Sequence, residues 1–251
     1  MPRATTTERS RAMKRTRNGI LIPDVPIMAG GNLPNAVKGV SAGVGDNPLL
    51  TPFYIDVLTT LSLDNSNLQI SDDAKNWQIC GSRTLKQGRY YFRGEQTTGK
   101  VTIGITSQNQ FKVGGNIMSL ISYTWDEATL YNACFSETFK NAKVVDASAL
   151  LLPATTLANN CYSNMFYGCG SLTAAPALPA TTLADSCYQF MFQNCSSLSK
   201  IKCYAVTIAS DSVNQWVERV SSVGTFVKKR GVTWSSGTSG IPTGWTVEEI
   251  D

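Results

Sequence analysis

Between Thr51 and Lys112 apolar and polar residues alternate in short runs. The runs are FYIDVLTTLSL (53–63), LQISDDAKNWQIC (68–80), GRYYFRGE (88–95) and KVTIGIT (100–106). A period of two with turn residues between the runs predicts a compact antiparallel β module over 51–112. Trp77 reads either as a core residue of that module or as an exposed aromatic platform for a ligand. Further along, the spacing changes. Cys161, Met165, Phe166 and Cys169 recur as Cys187, Met191, Phe192 and Cys195, and each set fits one face of a short helix, with Asn159 and Asp185 where an N-cap would stand. Extended segments follow at 172–178 and 198–204, held to short strands by Pro153, Pro176 and Pro179. Residues 113–133 form the join, where Ile117, Met118, Leu120 and Ile121 close the end of the next unit. Residues 211–220 predict an amphipathic helix, and Trp234 and Trp245 a lid over the last coil.

The recurrence has a fixed period. Residues 152–172 (LPATTLANNCYSNMFYGCGSL) match 178–198 (LPATTLADSCYQFMFQNCSSL) at an offset of 26. A degenerate first copy places Cys134 and Phe139 27 residues before Cys161 and Phe166, with Ala142 in the slot of Cys169 and Cys195. Such a period signals a solenoid, in which each coil buries its apolar side only against its neighbours. The repeat core is then Cys134, Phe139, Cys161, Phe166, Cys169, Cys187, Phe192 and Cys195. The chain has seven cysteines and no Cys-x-x-Cys pair. The columns of cysteine read as reduced thiols filling equivalent core slots, with disulfides between coils as the alternative. Tyr162 and Tyr188 also recur at the period, either packed in the core or stacking on a ligand.

Composition narrows the chemistry. The 251 residues include no histidine, which removes the usual general base and His-ligated zinc. The adjacent pairs Asp72-Asp73 and Glu248-Glu249 do not suggest two carboxylates facing each other across a cleft. We therefore expect neither an enzyme nor a cofactor or metal. Arg3, Arg9, Arg11, Lys14, Arg15 and Arg17 against Glu8 give residues 1–17 a net +5, within a chain of net +4. A basic arm on a nearly neutral body suits an anchor on an acidic protein surface or a solvated tail, and gives nucleic acid only non-specific contacts. Residues 18–50, rich in Gly and Pro, extend the arm. Neither an export signal nor a run long enough to span a membrane is visible.

The repeat LPATTLAxxCYxxMFxxCxSL resembles the BspA-like leucine-rich repeats of gut Bacteroidales and their phages. VGGNIMSL (113–120), SKIKCYA (199–205), NQWVERVSSVGTF (214–226) and SSGTSGIPTGWTV (235–247) fit the surroundings of that repeat as well, so that the resemblance covers about residues 60–251. It implies an α+β repeat fold: a small antiparallel β module followed by a short α/β solenoid with a C-terminal cap. The expected organisation is an anchoring arm (1–50), β module (51–112), repeats with their N-terminal cap (113–205) and C-terminal cap (206–251). The resemblance also implies display and adhesion, without catalytic residues.

The expected role is a phage virion structural protein, as a head fibre, decoration or tail-associated protein, assembled in the host cytoplasm. Residues 1–50 would bind capsid, portal or tail proteins, and the repeats a host surface protein or glycan. Such appendages are commonly symmetric, so a homo-oligomer such as a trimer is expected. The alternative is a bacterial cell-surface adhesin. The extended segments would form the binding face, with Thr173, Ala174, Ser199, Lys200 and Lys202 beside the buried leucines, the two lysines suiting an acidic glycan.

Overall fold

The computed structural model describes residues 48–125, 129–209 and 211–251, and the backbone of two short strands, β1 (Met13–Arg15) and β2 (Leu21–Pro23). The chain divides into two units, Met1–Val40 and Ser41–Asp251. In the first, β1 and β2 pair antiparallel. The cations Arg3, Arg9, Arg11 and Arg17 lie outside the described residues, as do the side chains of Lys14 and Arg15.

The second unit begins with two long strands, β3 (Tyr54–Ser71) and β4 (Gln78–Arg93). Their partner numbers fall as residue numbers rise: Tyr54 lies opposite Tyr91, Leu61 opposite Leu85, Asn65 opposite Gly81. The connection of residues 72–77 is far too short for a parallel crossover, so the two form a hairpin. Tyr91 also lies opposite Ser71, which shows the hairpin curling back on itself. The bend in β3 is made by Asn65, whose carboxamide oxygen accepts from the backbone N–H groups of Asn67 and Leu68. Strand β5 (Phe111–Asn116) pairs antiparallel with β3 and parallel with β6 (Val144–Leu151), so one sheet runs from the hairpin into the repeats.

Parallel pairing continues through the repeats. A bridge joins Asp146 to Ala174, and β7 (Ala177–Leu178), β8 (Lys200–Cys203), β9 (Thr225–Lys229) and β10 (Thr246–Ile250) form a parallel ladder. β9 and β10 thus continue the stack through the segment expected to be only a cap.

The expected α/β solenoid is overturned at the helical stretches. The described residues hold no α-helix, only two short 3-10 turns, Pro48–Leu50 and Ile117–Leu120, and the fold is mainly β. Where helices were expected, and again at 211–220, the chain forms successive tight turns. In the first coil the N–H groups of Cys134, Ser136, Thr138, Lys140 and Ala142 each donate to the carbonyl three residues back. The N–H groups between them, on Ala133, Phe135, Glu137, Phe139 and Asn141, donate to Asn159, Cys161, Ser163, Met165 and Tyr167 of the next coil. The second coil repeats the alternation onto the third, and the third onto the fourth, as in Tyr162 to Cys187 and Tyr188 to Ser212.

This turn ladder has a backbone signature. Every fourth residue is left-handed: Ala133, Glu137 and Asn141; Asn160, Asn164 and Gly168; Ser186, Phe190 and Asn194; Gln215 and Arg219. L-residues pay for that conformation, and Asn and Gly pay least. Asn159 and Asp185 are not N-caps. Their carbonyls accept the N–H groups of Ala133 and Asn160 from the preceding coils.

A turn period of four places two adjacent side chains per turn inside, and these stack in columns. Phe53 of the hairpin meets Phe139, which stacks on Phe166 and then Phe192, with centroids 5.9, 5.2 and 5.8 Å apart. A second column runs Phe135, Tyr162, Tyr188, Trp216 and Trp234 at 5.9, 6.1, 6.3 and 5.7 Å. Trp216 is fully buried where the columns converge, and its indole N–H donates to Gly240 O.

Candidate binding surface

The repeat-core residues all point inward. Cys134, Cys161, Cys169, Cys187 and Cys195 are fully buried with Phe166 and Phe192, and Phe139 is nearly so. All seven cysteines are free and buried. The Cys169 and Cys195 thiols donate to Phe139 O and Phe166 O of the preceding coils, both at 3.0 Å. Burial pushes the Cys134 thiol up to about 11 and those of Cys169, Cys187 and Cys203 up to about 12, which suppresses the reactive thiolate. Tyr162 and Tyr188 are likewise interior, which settles their two readings in favour of packing.

What faces outward is the alternate row of the parallel sheet. On β8, Lys200 and Lys202 are exposed and alternate with buried Ile201 and Cys203. Lys200 lies opposite Thr225, and Lys202 opposite Ala177 on one side and Val227 on the other. Thr173 is exposed, with its hydroxyl donating to Val145 O, and Ala174 is bridged to Asp146. Ser199 precedes Lys200 and is exposed. The five predicted residues thus lie on two neighbouring coils, and neither lysine makes an ion pair among the described residues.

No family model, curated protein or solved structure matches the chain. Its reading rests on its own geometry.

Several polar features escaped the sequence reading. Across the sheet, Arg89, Asp56, Lys112 and Asp146 stand side by side on β4, β3, β5 and β6, with alternating charge. Arg89 grips Asp56 through two bonds, at 2.6 and 2.8 Å, and its guanidinium carbon lies 3.8 Å from the Tyr54 ring centre. These residues are far apart in sequence, and only the register aligns them. Lys228 is buried in the penultimate strand, where its ammonium donates to Val232 O at 2.9 Å and pairs with Glu249. Asp73 accepts from the N–H groups of Lys75 and Asn76, bonds that hold its carboxyl well below the usual range. Each acidic pair therefore has a member engaged in a local structural contact.

Trp77 fits neither of its two readings cleanly. It is half-buried, with the Arg93 guanidinium carbon 4.3 Å from its ring centre. A polar cleft of about 370 Å³ opens elsewhere on the β module, lined by Asn65, Asn67, Glu95, Gln96, Thr98 and Lys100. Among the described residues no cluster of Cys, Asp or Glu could hold a metal ion, and no helix is long and apolar enough to cross a membrane.

Proposed function

We propose that the chain is a structural protein of a phage virion, joined to the particle through residues 1–50 and displaying residues 51–251 for contact with a host surface protein or glycan. One observation carries the reading. The repeats use their thiols and aromatic rings as packing between coils, while along β8 exposed Lys200 and Lys202 alternate with buried Ile201 and Cys203. A stack of this kind supports extended surface contact in preference to chemistry in an enclosed cleft. The outward lysines Lys200 and Lys202 give the face a local positive charge suited to an acidic partner. As a displayed appendage the protein would be a homo-oligomer such as a trimer.

Peptide mass spectrometry on gradient-purified virions, run beside washed host envelopes, tests this. Recovery in the virion fraction at stoichiometry comparable with other structural proteins is expected. Recovery only in the envelope fraction would overturn the virion assignment in favour of a bacterial adhesin.

A further inference from the structure

At the last residue of β4 a side-chain cluster stands apart from the lysine face. Arg93 donates from Nε to Gln69 Oε1 at 2.8 Å, and Gln69 lies directly opposite it across the strand pair. Its guanidinium carbon lies 4.3 Å from the Trp77 ring centre and 5.0 Å from that of Tyr123. Arg93 and Trp77 are half-buried, and Tyr123 is 39% exposed. Arg93 makes no ion pair among the described residues, and its two terminal nitrogens have no hydrogen-bond partner there.

Each contact limits what the guanidinium can still do. Nε is taken by Gln69, and the guanidinium carbon stands over two aromatic rings, which leaves the edge carrying the terminal nitrogens for a ligand. That edge is a planar fork, whose geometric complement is an anion able to accept two parallel hydrogen bonds. A carboxylate, itself planar, meets the fork with both of its oxygens in one plane, whereas a tetrahedral phosphate or sulfate places only two of its oxygens there. Both rings also offer apolar surface, of the kind on which the C–H face of a sugar rests.

We propose that Arg93, Gln69, Trp77 and Tyr123 form a binding site for a carboxylate-bearing sugar, of the uronic or sialic acid class. This rests on the reading of the chain as a surface-binding protein and adds a second site with its own chemistry. The fork binds the carboxylate, Gln69 fixes the fork, and the two rings cover the sugar's apolar face.

The test is titration calorimetry on the full chain with trigalacturonate and 3′-sialyllactose, with lactose and inorganic sulfate as controls. Saturable binding of at least one acidic sugar is expected, with lactose and sulfate silent. Arg93→Lys keeps the charge and removes the fork, and should weaken binding about tenfold or more, the loss of one charged hydrogen bond. Trp77→Ala should do the same, and Lys86→Ala, which removes an exposed charge elsewhere on β4, should leave the binding unchanged. Absence of binding to both acidic sugars would overturn the site, as would binding that survives Arg93→Lys or that sulfate matches. Thermal melts of each variant separate lost binding from lost folding. Failure here leaves the virion reading standing, since that is decided by recovery from particles.

Discussion

Replacing Asn164 by alanine separates a helix from a turn ladder by the sign of its effect. Asn164 sits at φ 57°, the middle left-handed position of its coil, and its carboxamide donates to Ser163 Oγ at 2.9 Å. In a helix the change would gain about 0.5 kcal/mol, because alanine is the better helix former. In the ladder it costs about 1 kcal/mol, since alanine tolerates the left-handed region less well than asparagine. Loss of a half-exposed side-chain bond adds about 0.5 kcal/mol. For a unit of this size 1 kcal/mol moves Tm by about 2–4 °C, so Asn164→Ala should lower Tm by about 3–6 °C. The triple change at Asn160, Asn164 and Asn194 should cost about 3.5 kcal/mol if the sites act independently. Phe190 supplies the converse, a bulky residue at φ 55° in the equivalent slot of the third coil. Phe190→Asn should raise stability by about 1 kcal/mol. Differential scanning calorimetry with urea melts reads all three, and a Tm that rises in Asn164→Ala would refute the ladder.

Other consequences are as open to measurement. The Tyr162 hydroxyl is buried without a partner among the described residues, so Tyr162→Phe should be neutral or stabilise by up to about 1 kcal/mol in urea melts. Gly104 has φ 75° and an added Cβ would lie 2.1 Å from Asp64 O, so Gly104→Ala should cost at least 2 kcal/mol, approximately, or abolish soluble expression. Native protein at pH 8 should release no colour with a thiol reagent until unfolded, and then seven equivalents. The raised thiol pKa values also set a pH dependence. An unfolded thiol loses its proton near 8.5 and the folded Cys203 thiol only near 12, so folding stability is intact below about pH 8.5 and falls as pH climbs toward 12. Each such thiol steepens that fall by up to about 1.4 kcal/mol per pH unit, and Cys203→Ala should make it shallower.

Much of the fold was legible because burial leaves a period. The two-residue alternation located β3 and β4, and the offset of 26 located the stacked coils together with their cysteine and aromatic columns. The helices failed for a definable reason. Cys161, Met165, Phe166 and Cys169 lie at separations of four, five and eight, which a 3.6-residue helix and a four-residue turn accommodate almost equally over so short a span. The discriminating mark was on the other side of the coil, in Asn160, Asn164 and Gly168, three residues tolerant of positive φ spaced by four. The tail misled for a related reason, since β9 and β10 carry strand pairing but little of the repeat's vocabulary. On the surface, Lys200 and Lys202 were legible as alternate residues of one strand. The Arg93 cluster was not, because Gln69, Trp77 and Tyr123 come from three separate segments that only the curl of the hairpin and its following turn assemble.

The alternating backbone bonds of the coils have a bearing on how such a chain changes over generations. In the turn ladder every N–H that leaves a coil points toward its C-terminal neighbour, as in Phe135 to Cys161 and Tyr162 to Cys187, and the carbonyl that receives it belongs to the residue just before the equivalent position. A coil is thus a brick with unlike upper and lower faces, and any two bricks of the series mate in one orientation. An in-frame duplication of 26 residues arrives with both faces already matched, and a deletion of the same length heals without a seam. The near-identical stretches at 152–172 and 178–198 are what such an event leaves behind. Reach is therefore a heritable quantity that recombination can adjust in whole steps, while hairpin and terminal tryptophans remain untouched.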